Sequence, residues 1–363
     1  MRILQIIQRS QLRGAEIFAC QLSEQLQNQG HQVDMLVLFG EKSSVFAFPL
    51  AFHFLEADEK SRWFDFKGYK KLSNFIKSGN YDIVQANAGD TLKYATLSRK
   101  LFGWKSTLVF RNANKISDFL KSLVKRKLNT WLMKEVDYVA SVSEECMIDF
   151  KSTFPSFEQR IATLPIGVKT ELVLPYSSLN DIGINGEGPF IINVAGFVPE
   201  KNHVGLIKIF SKILVSFPTA KLLLVGEGKL KDSIAQLVDE MQIKDSVIFL
   251  GRRNDVLKIM GCCHAFVLPS LIEGLPAVIL EAFTKKIPVV AYNIGGIKEI
   301  VINNKTGWLI EKNNEEEFVA ALNESLSKSN EQIKNSAYAL AVKEYAIEVI
   351  ALKFIKFYKQ SLS

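Results

Sequence analysis

Short apolar runs, each leading into a polar loop and then a segment of helical spacing, recur along this chain, and the whole alternation occurs twice. Residues 3–7 are an apolar run of strand length. A polar loop, 8–13, separates them from GAEIFACQLSEQLQNQG, where Ile17, Phe18, Leu22 and Leu26 repeat with helical spacing and Gly30 closes the segment. VDMLVLF returns as a strand, and YDIVQAN, STLVFRN and VDYVASVS continue the series. This order predicts a parallel α/β sheet, with ligands bound at the loops that leave the strands. The pattern breaks over residues 173–189, VLPYSSLNDIGINGEGP, which read as a linker and domain entry. It restarts with FIINVAGF, NHVGLIKIFSKILVSF, AKLLLVGEG, KLKDSIAQLVDEM and SVIFLG, and later HAFVLPS, IPVVAYN and TGWLIE. A long amphipathic helix, EYAIEVIALKFIKFYKQSLS, ends the chain. The prediction is two Rossmann-like domains facing each other across a cleft, residues 1–172 and 173–345.

The length of 363 residues suits two domains, and 48% hydrophobic with 23% charged residues excludes a disordered chain. No stretch approaches the roughly 20 apolar residues of a membrane span. MRILQIIQRSQ is apolar only briefly and shows no cleavage pattern, so no secretory signal is expected. Cys20, Cys146, Cys262 and Cys263 form no CxxC pair, which suits a reducing cytoplasm. The net charge of +7 is uneven: residues 1–170 carry 24 basic and 17 acidic side chains, the remainder 21 of each. Two readings of that excess stand side by side: a basic face for an anionic partner, membrane or nucleic acid, and a solubility bias with no partner.

Lys201 lies between a strand end and a helix start, where an ammonium and helix amides converge on phosphate. VGEG, 225–228, is a glycine turn after a strand. EGLPAVILEAFTKKIPVV places Glu273 in a loop, Pro276 near the first helical position and Glu281 on the helix. The amides around Leu275, Ala277 and Val278 are expected to be free to meet a diphosphate, and Glu281 to accept from vicinal hydroxyls such as those of a ribose. Glu273 would then reach a second polyol. The competing reading makes one glutamate a cap and the other a solvated helix residue.

FLGRRNDVLKIMGCCHAFVLPSLIEGLPAVILEAFTKKIPVVAYNIGGIKEIVINNKTGWLI resembles the signature of the retaining glycosyltransferases of family GT4, which have the GT-B fold, including an E-x7-E motif at Glu273 and Glu281. RGAEIFACQLSEQLQNQGHQV, SVSEE and LPIGV resemble landmarks of that family's N-terminal domain. The resemblance implies that the final helix, about residues 346–363, returns to the N-terminal domain. It implies that Glu281 binds the donor ribose, Glu273 contacts the transferred sugar, and Lys201 binds the diphosphate and stabilises its departure. Arg253, in the loop 251–255, is expected against the base through its backbone. Gly14 matches the second glycine of an N-domain loop that approaches the phosphates, and Arg13 stands in place of the first. The family's usual arginine five residues before the lysine is here Gly196, and the usual histidine after a middle N-domain strand is absent from FRNAN. Arg111 and Asn112 are therefore candidate acceptor or phosphate contacts, with Arg13 or Arg111 as substitutes for the missing arginine.

A nucleoside diphosphate leaving group needs a positive field, which lysine, arginine and helix amides supply. No metal or other cofactor is expected, since the sequence has no DxD run and no His/Cys ligand cluster. His31, His53, His203 and His264 are isolated and read as structural. The expected partners are a nucleotide sugar, with UDP as the base, and a glycan or lipid-linked glycan for surface polysaccharide; nucleic acid is not expected. DFLKSLVKRKLNTWLMKEVDY interleaves basic and apolar residues, so it reads either as a helix on an anionic inner leaflet or as a core helix with a solvated face. The resulting expectation is a cytoplasmic enzyme, peripheral on the inner membrane face. A GT-B sugar-nucleotide epimerase and a catalytically silent nucleotide-sugar-binding subunit remain as alternatives, the second because of Gly196.

Overall fold

Runs such as Leu222–Val225 and Ala265–Leu268 are buried at every position, the pattern of parallel strands covered on both faces. In the computed structural model, which describes residues 1–41 and 46–363, these strands belong to two parallel sheets. The chain divides into two units, one of Met1–Lys169 with Ala346–Ser363 and one of Thr170–Tyr345.

The first unit runs β1 (Arg2–Ile7), α1 (Gly14–Asn28), β2 (Gln32–Val37), β3 (Ala51–Phe54), α2 (Phe66–Gly79), β4 (Ile83–Ala86) and α3 (Gly89–Phe102). It continues with β5 (Thr107–Asn112), α4 (Leu123–Met133), β6 (Tyr138–Ser141), α5 (Glu144–Thr153) and β7 (Ile161–Thr163). The described strands pair in the order β3-β2-β1-β4-β5-β6-β7, so the order reverses between β1 and β4. The strands read from the sequence include neither β3 nor β7: β3 lies in an apolar run, FAFPLAFHFL at 46–55, that contains Pro49 and shows no clean alternation, and β7 is only three half-exposed residues long.

The second unit runs β8 (Phe190–Val194), α6 (His203–Ser216), β9 (Lys221–Val225), α7 (Lys231–Glu240), β10 (Val247–Gly251), α8 (Val256–Met260) and β11 (Ala265–Leu268). It continues with α9 (Ala277–Thr284), β12 (Val289–Tyr292), α10 (Ile297–Ile300), β13 (Trp308–Ile310), α11 (Glu315–Ser327) and α12 (Glu331–Glu344). Its strands order as β10-β9-β8-β11-β12-β13, reversing between β8 and β11. The stretch read as a linker packs on this unit. Leu179 and Ile184 are buried, Lys285 Nζ donates to the Val173 carbonyl at 3.0 Å, and the Tyr176 hydroxyl donates to Asp255 at 2.5 Å.

The last helix, α13 (Ile347–Leu362), belongs to the first unit and packs on α1. Its apolar face buries Ile347, Ile350, Phe354 and Phe357. A closed ring of buried hydrogen bonds fixes its register. Gln5 Nε2 donates to Tyr358 Oη (3.2 Å), that hydroxyl to Gln85 Oε1 (2.7 Å), Gln85 Nε2 to Asn87 Oδ1 (2.9 Å), and Asn87 Nδ2 back to Gln5 Oε1 (2.9 Å). Among the described residues no helix is long and apolar enough to cross a membrane.

Candidate active site

In an open parallel sheet the crevice for a ligand lies where the strand order reverses, at the carboxyl ends of the strands. In the second unit the two loops at that point, leaving β8 and β11, are laced together. The Glu200 carbonyl accepts from the Leu271 amide at 2.7 Å. Asn202 caps α6 by accepting from the Gly205 amide at 3.2 Å, and its own amide donates to the Pro269 carbonyl at 3.0 Å. Asn202 does this from the left-handed region, φ 53°, which asparagine enters more readily than most residues. The lacing brings Lys201 Nζ to 2.5 Å from Oε1 of the buried Glu273. The loop leaving β12 supports Glu273 from behind. The Gly296 amide donates to the Gly274 carbonyl at 2.6 Å, and Gly295, at φ 51°, lies so close to the Glu273 carbonyl that a Cβ would collide with it.

Pro276 is the N-cap of α9, next to the first helical position, and the helix begins at Ala277. The Ala277 and Val278 amides occupy the first two helical positions and have no partner earlier in the helix. The Leu275 side chain is buried, so that residue offers its backbone. Glu281 lies one turn further along. Although an edge of the residue reaches solvent, burial of its carboxyl pushes the pKa up to about 7. No side chain among the described residues pairs with that carboxylate. It is a poorly solvated acceptor, which a pair of hydroxyl donors would satisfy.

The rest of the rim comes from β9 and β10. Phe197 N–H donates to the Glu227 carbonyl at 3.1 Å, and Gly226 N–H to the Gly251 carbonyl at 2.9 Å. The Arg253 guanidinium makes a two-point pair with Asp255, 2.8 and 2.5 Å, which with the Tyr176 hydroxyl holds the Asp255 carboxyl down at about 2. That pair engages the Arg253 side chain, so any contact this loop makes with a base falls to its backbone. At Gly196 a Cβ would meet the Glu227 carbonyl at 3.5 Å, an ordinary contact, so the position is not closed to a residue larger than glycine.

His203 is buried and stacked on Phe197, with ring centroids 4.2 Å apart. Burial, reinforced by the Lys201 charge, lowers its pKa to about 4, so it is neutral at physiological pH. Its two ring nitrogens, the Asn193 side-chain Oδ1 and the Ser270 hydroxyl are buried without a hydrogen-bond partner among the described residues. The sequence reading passed over Asn193 and Ser270. Their signal was a polar residue inside an apolar strand run, FIINV, and one at the end of another, HAFVLPS.

In the first unit, exposed Arg13 precedes α1, and a Cβ on Gly14 would meet nothing within 4 Å. Open space of this kind is what a close backbone approach by a ligand requires. Arg111, near the end of β5, is buried, with its guanidinium carbon 4.1 Å from the Phe18 ring centre. Its Nε and Nη1 have no partner among the described residues, and burial lowers its pKa to about 10 despite the nearby Tyr358 and Glu16. Asn112 points elsewhere: its amide donates to Ser141 Oγ at 3.2 Å and to the Cys146 carbonyl at 3.4 Å, tying β5 to β6 and α5. Glu16 is buried too, accepts from Gln11 at 2.9 Å, and has its pKa raised chiefly by burial.

The structure thus gathers Lys201, Glu273, the α9 amides and Glu281 in the second unit, and Arg13, Gly14 and Arg111 lie in the first. Among the described residues no group of three or more His, Cys, Asp or Glu side chains is placed to hold a metal ion. This arrangement can bind a diphosphate through a cation and helix amides, and polyols through two carboxylates.

A family model described as Glycosyl transferases group 1 matches residues 178–342, and one described as Glycosyltransferase Family 4 matches residues 12–172. An uncharacterized glycosyltransferase of Haemophilus influenzae is 32% identical over 45% of this chain and about half, 47%, of its own length. The N-acetylgalactosamine-N,N'-diacetylbacillosaminyl-diphospho-undecaprenol 4-alpha-N-acetylgalactosaminyltransferase of Campylobacter jejuni is 26% identical over 88% of this chain and 90% of its own. Among solved structures, Anabaena Alr3699/HepE in complex with UDP-glucose superposes with a TM-score of 0.84 at 18% identity, covering 99% of this chain and all of that one. That likeness bears on the fold.

Proposed function

The chain belongs to the family-4 glycosyltransferases of GT-B fold, and from that premise we propose that it moves a sugar, with retention of anomeric configuration, from a UDP-sugar to a lipid-linked glycan in surface polysaccharide synthesis. The observation that carries the donor half is the convergence of Lys201, Glu273 and the start of α9 at the reversal point of the second sheet. A bound diphosphate would take Lys201 over from Glu273. The freed carboxylate then accepts from hydroxyls of the transferred sugar, and Glu281 from those of the ribose. As the glycosidic bond lengthens, charge grows on the departing phosphate oxygen, where Lys201 and the Ala277 and Val278 amides stabilise it. The acceptor hydroxyl attacks from the face the phosphate leaves, and the phosphate takes its proton. The positive field comes from the protein itself, so we propose a metal-independent reaction. Turnover should persist in EDTA; loss restored by Mg²⁺ or Mn²⁺ would refute that part.

A uridine donor is supported by the UDP-glucose complex of the structural neighbour, and the lipid-linked acceptor by the diphospho-undecaprenol in the Campylobacter relative's name. We place the enzyme on the cytoplasmic side, held at an anionic inner leaflet by residues 115–134. In that segment Lys121, Lys125, Arg126, Lys127 and Lys134 are exposed, and of α4 only Leu132 and Met133 are buried. Calorimetric titration with UDP- and GDP-sugars, followed by product analysis with polyprenyl-diphosphate glycans, tests the proposal. Heat with no nucleotide sugar would overturn the donor assignment. Transfer to soluble glycans with none to lipid-linked ones would overturn the acceptor assignment.

A further inference from the structure

The end of the loop from β3 and the first residue of α2 carry three exposed aromatic side chains in four residues: Trp63 (39% exposed), Phe64 (77%) and, opening the helix, Phe66 (57%). Folding normally buries such residues, and three together on a loop that is firmly held form an apolar patch directed at a partner. The loop is anchored on both sides. Arg62 donates to Asp90 at 2.6 Å, Lys93 donates to the same carboxylate at 2.9 Å, and Gln8, in the loop leaving β1, also donates to it at 2.9 Å. Lys93 Nζ caps one face of the Trp63 ring at 4.1 Å from its centre. Asp65 caps α2, accepting from the Gly68 amide at 2.8 Å, and also accepts from Tyr94 at 2.9 Å.

Around the aromatics stand Lys60, Lys67, Lys70 and Lys71, all exposed, and none forms an ion pair among the described residues. Connectivity places a second apolar group at the same edge. Helices α2, α3 and α4 each link one parallel strand to the next, so all three begin at the carboxyl edge of the sheet, and α3 packs against both of the others. The first turn of α4 holds Leu123 and Val124, each 77% exposed, next to Lys125, Arg126 and Lys127. Aromatic and aliphatic side chains interleaved with unpaired cations match a bilayer interface, where rings enter the headgroup layer and lysines meet anionic phosphates.

We propose that the Trp63–Phe64–Phe66 loop inserts into an anionic bilayer. Together with α4 it sets the carboxyl edge of the first unit, where its own sheet reverses between β1 and β4, against the membrane surface. This rests on the lipid-linked acceptor proposed above and adds an apolar anchor to the electrostatic one. Docking should therefore have a component that survives salt.

Tryptophan fluorescence reads the insertion in the full-length protein. Of the four tryptophans, Trp104 and Trp308 are buried, so W131F leaves Trp63 as the exposed reporter. On phosphatidylglycerol vesicles its emission should shift to the blue, and lipids brominated near the headgroup should quench it more than unbrominated ones. Phe64→Ser should lower partitioning onto those vesicles about tenfold at about 0.5 M NaCl, where screening removes most of the charge attraction. UDP-sugar binding, measured alongside, should not change, because Phe64 lies outside the donor site. The proposal is overturned if W131F co-sediments with vesicles while its emission is unmoved and unquenched, since charge alone then docks the protein. It is equally overturned if UDP-sugar binding is normal and no vesicle binding occurs. Absent UDP-sugar binding with quenching intact would sink the donor assignment and leave the membrane contact standing.

Discussion

Glu281 joins a carboxyl of pKa about 7 to a site that calls for an acceptor, and this sets opposite expectations for stability and binding. Its folded pKa lies above the ordinary 4.5, so between pH 4.5 and 7 the native state holds a proton that the unfolded chain has released. Stability from this group is therefore fully present below about 4.5, is lost as pH rises to 7, and is reduced by about 3 kcal/mol above it. Glu281→Gln should abolish that slope in urea titrations run from pH 5 to 8 and make the protein more stable at pH 8. The same variant should bind a UDP-sugar about tenfold or more weakly, because a charge-assisted hydrogen bond is worth roughly 1.5–3 kcal/mol. In the wild type that affinity should rise with pH through 7. A flat profile, or unchanged affinity in the variant, would remove Glu281 from the ribose. Lys201→Ala should lower kcat by about 100-fold with a smaller effect on UDP affinity, since its charge matters most as the diphosphate departs. Gly196→Arg restores the cation at the position where the family usually carries one, and its Cβ meets no clash. It should raise turnover; if it does not, Arg111 and Arg13 are the next cations to substitute.

At the scale of elements, the lacing of the β8 and β11 loops holds the lysine against the glutamate, and Asn202 is its central knot. Asn202→Ala removes the cap of α6 and the bond to the Pro269 carbonyl, and puts alanine in a left-handed conformation. A loss of about 1–3 kcal/mol is expected in chemical denaturation. Turnover should fall beyond what the unfolded fraction explains, because Lys201 loses its fixed position. Destabilisation with full activity at low temperature would show the lacing to be structural only.

For the whole molecule, the clearest consequence is the return of α13 to the first unit. Tyr358 completes a ring with Gln5, Gln85 and Asn87, residues drawn from β1, from β4 and from the position just after it. Tyr358→Phe leaves buried donors and acceptors unmatched, at a cost of about 1–3 kcal/mol. Hydrogen exchange should place the loss in the first unit, with protection in the second unchanged. Uniform loss across both units would mean that the ring stabilises more than its own sheet.

The sequence by itself determined the two parallel sheets, because alternating apolar runs and helical spacing are local and periodic. It also nominated Lys201, Glu273 and Glu281 one by one, because each lies in a stretch where a strand end and a helix start are both legible. What required the tertiary structure was everything set by contacts distant in sequence. The edge strand β7 is too short to declare itself, and β3 lies in an apolar run, 46–55, whose proline and lack of alternation hide the strand's bounds. The pairing of Lys201 with Glu273 spans 72 positions, and the ring that seats Tyr358 spans 353. Asn112 and Arg111 are neighbours in sequence, yet strand geometry turns one into a tie between β5, β6 and α5 and leaves the other a buried cation over Phe18. A composition count finds the basic excess of the first half. Only the fold shows that Trp63, Phe64 and Phe66 stand exposed among those cations, because burial is decided by what packs against a residue and not by its own chemistry.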